Sequence, residues 1–561
     1  MKVIIIGGVA GGASAAARLR RLNEKCDITI FERTNYVSYA TCGLPYYIGD
    51  IITDEKQLTV QTPTSLFNRF NINVKTNHEV IDIDTVKKIV VVKDLINDKV
   101  FNESYDKLIL SPGAKPIIPS FYKKSERVFT LRTIEDTNKI KSYINSNNVC
   151  NAVVIGGGYV GIEMAENLIN LGISVDLVEA NNQVLSILDK DMVSFVHSTL
   201  RKNGIKLHLN SNVESLREVD NQILVNLSKE ELITDIVIVA VGVTPDTVLA
   251  EKIGLKQGVK GSIVVNDHMQ TSIDDIYAVG DAVMVKNYVT EEDTLIPLAG
   301  PANKQGRIAA DNICGINSIY QGSLGTSILK VFDLNVASTG LNEKALINKK
   351  IKYEKVILSP LSHAGYYPNA KVLTLKVLYE KETLRLLGAQ VIGNEGVDKR
   401  IDVIATAIKA SLKAVDLKDL ELAYAPPFSQ AKDPVNLAGF IIDNIENNLV
   451  KQFYYEDIEK LYHDSNVILL DTRTDLEYSR GHAEGFIHIP LDDLRKRINE
   501  LDINKRIYVM CQSGLRSYLA TRILVQNGFD AYNFVGGYRL YASIKNEETL
   551  SKQCYSCGMD K

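Results

Sequence analysis

Cys42, in the stretch SYATCGLPYYIGD, stands where its sulfur could act as a nucleophile. CGLPYYIGD can open a helix, and a sulfur at a helix N-terminus sits in a positive field that favours the thiolate. A lowered thiol pKa is therefore expected. Cys511 heads a second loop, CQSGLRS, between a strand-like run and a helical one. Backbone N–H groups of Gln512, Ser513, Gly514, Leu515, Arg516 and Ser517 would converge on its sulfur and hold a thiolate or persulfide.

Elements able to carry electrons to a thiol flank these cysteines. KVIIIGGVAGGASAAARLRRL reads as a buried strand, a tight glycine turn and a helix, with ITIFER as the next strand. The same grammar returns in NAVVIGGGYVGIEMAENLINLG and SVDLVEA, with Gly156 standing 149 positions after Gly7. Glycines in such a turn allow a sharp bend and close approach of a pyrophosphate, which then faces the N-terminus of the helix. Gly156, Gly158 and Gly161 complete G-x-G-x-x-G. Glu179, 18 residues after Gly161, can accept hydrogen bonds from a ribose 2′-OH and repels a 2′-phosphate. This favours NADH, with NADPH still possible. The first turn (Gly7, Gly8, Ala10, Gly11, Gly12) is less regular, with Val9 where the middle glycine is expected, and Glu32 lies at ribose distance. One glycine turn can arise from packing alone; two in one chain argue for two nucleotides.

The chain has 561 residues, a formal net charge of -4 and 45% hydrophobic residues. Several domains are expected at this length. The charge gives no reason to propose nucleic acid as partner. No apolar run is long enough to span a bilayer, and the N-terminus lacks the apolar segment and cleavage site of a signal peptide, so a cytoplasmic protein is expected. Seven cysteines in a chain of this size do not form a disulfide scaffold. No metal site is expected. After about residue 325 the glycine motifs end and KVLTLKVLYE alternates, which suggests an antiparallel sheet with helices.

TSIDDIYAVGDAV resembles the second FAD motif of the pyridine nucleotide–disulfide oxidoreductases, which places Asp281 on the flavin's ribityl chain. SPGAKP, with Pro112 and Gly113, and VGVTPD, with Gly242, resemble that superfamily's crossings between its FAD and NAD domains. The resemblance implies FAD on the first turn, with Arg33 beside Glu32 joining its binding set, and NAD(P)H on the second. It implies an α/β fold with two Rossmann-like domains: FAD at 1–115 and 247–325, and NAD(P)H at 116–246. An α+β dimerisation domain at 326–445 and a linker at 446–457 would precede a C-terminal α/β module at 458–561.

S-x-x-x-C-G-L-P-Y, the single cysteine and GGVAGGAS are similar to the coenzyme A-disulfide reductase family over about residues 1–445. Dithiol reductases of the superfamily carry a second cysteine five residues on, where this chain has Tyr47. The resemblance implies that Cys42 cycles through a mixed disulfide with coenzyme A, contacted by Ser14, Arg18, Arg21, Ser38, His363 and Lys432. Arginines suit the phosphates of coenzyme A, although Arg18, Arg20 and Arg21 could equally form a solvated basic face. HAGYYP and YAPPFSQAKDPVN resemble motifs from which Tyr367 and Tyr424 would reach the partner subunit's site in a homodimer. The family match leaves coenzyme A disulfide and coenzyme A persulfide equally open.

VILLDTRTDLEYSRGHAEGFIHIP, YVMCQSGLRSYLATRIL and NFVGGY resemble a single rhodanese domain. Only four residues separate Cys511 from Arg516, against five in the phosphate-sized loop of cysteine phosphatases, and the tighter loop suits a sulfane sulfur. Cys554 and Cys557 form a terminal C-x-x-C, read as part of a disordered tail in preference to a redox pair. The expected function is an FAD-dependent NAD(P)H reductase of coenzyme A disulfide, coenzyme A persulfide or polysulfide. An NADH oxidase or peroxidase using a Cys42 sulfenate, and a non-catalytic sulfur carrier or redox sensor, are the alternatives.

Overall fold

The computed structural model of the chain describes residues 1–122 and 124–556; Cys557 lies outside them. The chain divides into two compact units: Met1–Asn182 with Gly204–Gly325, and Gln183–Asn203 with Thr326–Lys561.

The first unit holds two parallel five-stranded sheets. One runs Ile276–Ala278, Lys107–Leu110, Lys2–Ile6, Asp27–Glu32, Asn73–Thr76; the other runs Lys206–His208, Ser174–Val178, Asn151–Ile155, Ile236–Val239, Val128–Thr130. KVIII and NAVVI bury every residue after the first. Such runs suit central parallel strands covered on both faces. The helices Ala10–Leu22 and Tyr159–Asn170 follow these strands. Helix Ala10–Leu22 lies so close to helix Ala299–Ile313 that a Cβ on Gly306 would stand 2.3 Å from Gly11 O. The two crossing segments meet as one antiparallel ribbon, Ala114–Pro116 against Val243–Pro245.

The second unit contains the antiparallel sheet Ser327–Val331, Leu334–Gly340, Leu386–Gly393, Thr374–Glu380, Tyr353–Leu358. Every residue of Leu386–Gly393 is buried. The helix Lys190–Lys202 falls in chain order between two strands of the sheet that contains Asn151–Ile155, but it groups with this second unit, unlike the expected 116–246 domain. A fully buried cation holds it there. Lys376 Nζ lies 2.9 Å from Asp189 and 2.7 Å from Asp191, and also pairs with Glu343. The apolar alternation of KVLTLKVLYE conceals this lysine, since its position on the strand faces inward.

The C-terminal sheet is parallel, in the order Lys451–Phe453, Ala531–Phe534, Arg506–Met510, Val467–Asp471, Ile487–His488. The stretch expected as a linker, 446–457, therefore contains a sheet strand, pairing Lys451 with Tyr532 and Phe453 with Phe534, and the start of helix Tyr455–Leu461. Phe453 is buried on Phe534 and Tyr508, and that apolar contact overrides the polar appearance of the segment. The last helix, Gly537–Ser556, extends through Cys554, where a disordered tail was expected. Its first turn donates Tyr538 N–H to Cys511 O at 2.7 Å and Arg539 N–H to Gln512 O at 3.1 Å. Farther along, Glu547 binds Arg201 and lies 3.2 Å from His197, and Glu548 lies 3.1 Å from Lys190. No helix among the described residues is long and apolar enough to cross a membrane.

Candidate functional site

The two glycine turns share one construction. Gly7 and Gly156 have φ of 91° and 109°, and a Cβ on either would strike a carbonyl, Ser111 O at 2.1 Å or Ala240 O at 2.4 Å. A Cβ on Gly12 or Gly161 would lie 1.9 Å from the carbonyl of Gly7 or Gly156. These four glycines are thus required by packing. Gly158 differs: a Cβ there would meet nothing within 4 Å, so its side of the turn is open. Val9 and Gly158 begin their helices without a side-chain cap, leaving the helix N–H groups turned to whatever enters. Open, uncapped N-termini fit the pyrophosphates of two dinucleotides.

The acidic residues repeat as well. Glu32 accepts Gly8 N–H at 2.9 Å and Thr34 N–H at 3.0 Å. Glu179 accepts Gly157 N–H at 2.8 Å and Asn181 N–H at 2.8 Å. Each carboxylate is thereby fixed beside its turn. Arg33 pairs with Asp246 at 2.9 Å. Pro112 and Gly113 lead into the ribbon, where Ile117 N–H donates to Gly242 O and Asp246 N–H to Gly113 O, both at 3.0 Å. Asp281 is bound by Arg132 at 2.7 Å, and Arg132 also donates to Ala114 O.

Cys42 is exposed and lies in a 3-10 turn, Thr41–Gly43, ahead of the short helix Leu44–Ile48. The lowered pKa expected from a helix dipole is not what this environment produces. Crowding of the sulfur and the Glu163 carboxylate push the thiol up, and Arg132 offsets only part of this. A helix of one turn aligns too few peptide dipoles to outweigh burial and an acid. Glu163 accepts from the Tyr46 hydroxyl at 3.2 Å, and burial pushes its carboxyl up to about 7. Reading the motifs alone missed Glu163, Tyr46 and Arg132. Glu163 lies two residues after the last motif glycine and Tyr46 four after Cys42, one helical turn, which is the signal that could have found them.

The expected coenzyme A contacts occupy varied settings. Ser14 donates to Asn303, Arg18 binds Asp311 at 2.6 Å, Arg21 is exposed, and Ser38 has a φ of 47°. Arg20 is not part of a solvated face: it is buried, donating to the carbonyls of Phe70, Asn71 and Glu24. His363 is buried and meets Tyr367 edge-on at 5.6 Å, while Lys432 is exposed. The Tyr424 hydroxyl lies 2.8 Å from that of Tyr366, while Tyr367 packs on His363. Arg400 ties the two tyrosine loops together, donating to Ser362 O at 2.9 Å, Ser429 Oγ at 3.0 Å and Asp433 at 3.0 Å.

Cys511 is fully buried. Gly514 N–H reaches its sulfur at 3.2 Å and the Ser517 hydroxyl at 3.3 Å, so a hydroxyl joins one backbone donor where a full ring of N–H groups was expected. Gly514, with φ of 102°, turns the chain into helix Leu515–Gln526. The adjacent Gly537 leaves no room for a Cβ against Gln512 and Ser513, whose backbone atoms would be 2.6 Å away. Gln512 Oε1 lies 3.4 Å from Arg473, and Arg516 binds Glu477 through both nitrogens.

Residues 1–306 match the family model described as pyridine nucleotide-disulphide oxidoreductase, 326–434 its dimerisation domain, and 455–543 the rhodanese-like domain. The chain is 38% identical over 440 residues to the coenzyme A disulfide reductase of Staphylococcus aureus (strain JH9), covering 78% of this chain and 99% of that protein. Among solved structures it resembles reduced Bacillus anthracis CoADR-RHD, with a TM-score of 0.94, 47% identity and coverage of 97% and 98%. It also resembles an NAD-dependent persulfide reductase from A. fulgidus, with a TM-score of 0.91, 36% identity and coverage of 96% and 100%.

Proposed function

This chain is an enzyme of the pyridine nucleotide-disulphide oxidoreductase family with a rhodanese domain at its C-terminus, and from that premise we propose that it reduces coenzyme A disulfide, coenzyme A persulfide or polysulfide through Cys42. What carries the reading is an exposed cysteine, followed at the fifth position by Tyr47, in one chain with a rhodanese loop around Cys511. Without a neighbouring thiol, Cys42 must pair with a sulfur brought from outside.

Cys42 thiolate attacks a sulfur of the substrate. The S–S bond breaks, and coenzyme A leaves as thiolate, or a polysulfide shortened by one sulfur leaves as its anion, taking the bonding pair. The cysteine is left as a mixed disulfide, or as a persulfide when the terminal sulfur of a persulfide is attacked. FAD and NADH, when bound, supply the two electrons that return Cys42 to its thiolate and release a thiol or hydrogen sulfide. Glu32 and Glu179 would hold the ribose hydroxyls, with Glu179 favouring NADH over NADPH. Glu163 and Tyr46 can retain a proton next to Cys42 near neutral pH. Ser14, Arg18, Arg21, Ser38, His363 and Lys432 would position coenzyme A. In a homodimer, Tyr367 and Tyr424 would reach the partner's Cys42 and protonate the departing thiolate, with Tyr366 holding the Tyr424 hydroxyl.

Steady-state NADH oxidation by wild type and Cys42→Ser, with coenzyme A disulfide, coenzyme A persulfide and polysulfide, tests the reading. Loss of turnover on all three is expected; full turnover by the variant overturns it.

A further inference from the structure

The Cys511 loop has few charges, and each is paired. Its one cationic side chain, Arg516, donates Nη1 to Glu477 Oε2 at 2.6 Å and Nη2 to Oε1 at 2.7 Å, a bidentate pair that satisfies both groups. Arg473, which reaches Gln512, is committed to Asp471 at 2.7 Å and Gly481 O at 2.8 Å. Arg539 touches the loop through its backbone and lays its guanidinium over the Phe195 ring at 5.2 Å. The donors that reach Cys511 sulfur, Gly514 N–H and the Ser517 hydroxyl, are neutral. Leu515 and Leu476, the chain neighbours of Arg516 and Glu477, are 66% and 61% exposed. The ion pair is thus flanked by apolar surface.

We infer that Glu477 sets the charge class of the sulfur donor at Cys511: by holding Arg516, it disfavours the thiosulfate dianion and leaves the loop suited to the terminal sulfur of an organic persulfide. A dianion would meet Glu477, with Arg516 and Arg473 already committed to carboxylates. A persulfide R–S–SH carries less charge, and its R group can lie on Leu515 and Leu476. Cys511 thiolate attacks the outer sulfur, the S–S bond breaks, and R–S⁻ leaves with the bonding pair. The proton stays on the transferred sulfur, giving Cys511–S–SH with no external electrons. The inference rests on reading Cys511 as a sulfane-sulfur carrier.

The test loads the full-length, FAD-bound protein with benzyl persulfide or sodium thiosulfate and follows the gain of one sulfur atom on the Cys511 peptide by mass spectrometry. The readout is the ratio of the two loading rates, because partial misfolding lowers both together. Wild type should load from the persulfide and hardly from thiosulfate. Glu477→Gln keeps an amide oxygen for Thr474 N–H, which Glu477 accepts at 3.0 Å, and releases Arg516. It should raise the thiosulfate-to-persulfide ratio about tenfold or more, and Arg516→Met added to it should cancel the gain. Equal loading of wild type from both donors, or an unchanged ratio in Glu477→Gln, overturns the inference. Loading from neither donor overturns the carrier reading and the inference with it, while leaving the reductase reading of Cys42 intact.

Discussion

The Tyr46 hydroxyl donates to Glu163 at 3.2 Å, linking the helix behind Cys42 to the helix that follows the second glycine turn. Crowding of the sulfur by its neighbours and, after it, the Glu163 carboxylate hold the Cys42 thiol up, and Arg132 pulls it down. Glu163→Gln should therefore shift the pH midpoint of Cys42 alkylation by iodoacetamide downward, and Arg132→Met should shift it upward. Identical profiles for the two variants would show that neither charge acts on the sulfur.

Glu163 also links stability to pH. Its carboxyl ionises near 4.5 in the unfolded chain and at about 7 in the folded one, since burial outweighs the hydrogen bond from Tyr46. The folded state thus binds more protons between these values, so stability falls as pH rises from about 4.5 to about 7 and then levels off. Glu163→Gln should remove that fall and, allowing for partial exposure, gain about 1–2 kcal/mol over wild type above neutrality. Urea unfolding across this pH range measures it; parallel curves for the two proteins refute it.

The tyrosine pair gives a kinetic prediction. Tyr424→Phe should lower kcat with coenzyme A disulfide about 10²-fold, the contribution typical of a positioned proton donor. Tyr366→Phe should cost less, because it acts through Tyr424. Arg400→Met, which leaves Asp433 buried without its guanidinium, should cost about 3–5 kcal/mol of stability. Stopped-flow kinetics and urea melts separate the two effects, and an unimpaired Tyr424→Phe would remove the phenol from the mechanism.

Lys376→Met should be among the most damaging single changes outside the cysteines. It leaves Asp189 and Asp191 without their cation and Glu343 with Lys355 alone, at a cost of about 3–5 kcal/mol. Adding Asp191→Asn should recover part of the loss. Thermal melts of the three proteins decide, and a Lys376→Met protein as stable as wild type would show that the cluster has little energetic weight.

Features that one short segment dictates were legible from sequence. Gly156, Gly158 and Gly161 each do a local job, and their spacing states it. Cys511 and Gly514 belong to one loop for the same reason. Arg18, Arg20 and Arg21 were indistinguishable, because one turn of helix points them in three directions and only tertiary packing decides which is buried. The partner of the Tyr424 hydroxyl was hidden for the same reason: Tyr366 lies 58 residues away in the chain, and neither motif alone shows that the two loops meet. The strand Lys451–Phe453 hid in a polar context because its partner, Ala531–Phe534, lies far along the chain. Cys42 misled by its chemistry: a helix start was read as a dipole, but the helix that forms is too short to provide one.

The helix Gly537–Ser556 is about 30 Å long at the usual rise. One end hydrogen-bonds the Cys511 loop, and its middle, through Glu547 and Glu548, grips Arg201 and Lys190. A module joined to its neighbour only by a tether could be cut away without loss. Here, excision after residue 446 would strip the partners from Arg201 and Lys190 and uncover Phe195, which packs with Val535, Leu540 and Ile544. What reads as two genes placed end to end has been tailored into one garment: the seam is sewn through, and the halves no longer come apart along the line where they were joined.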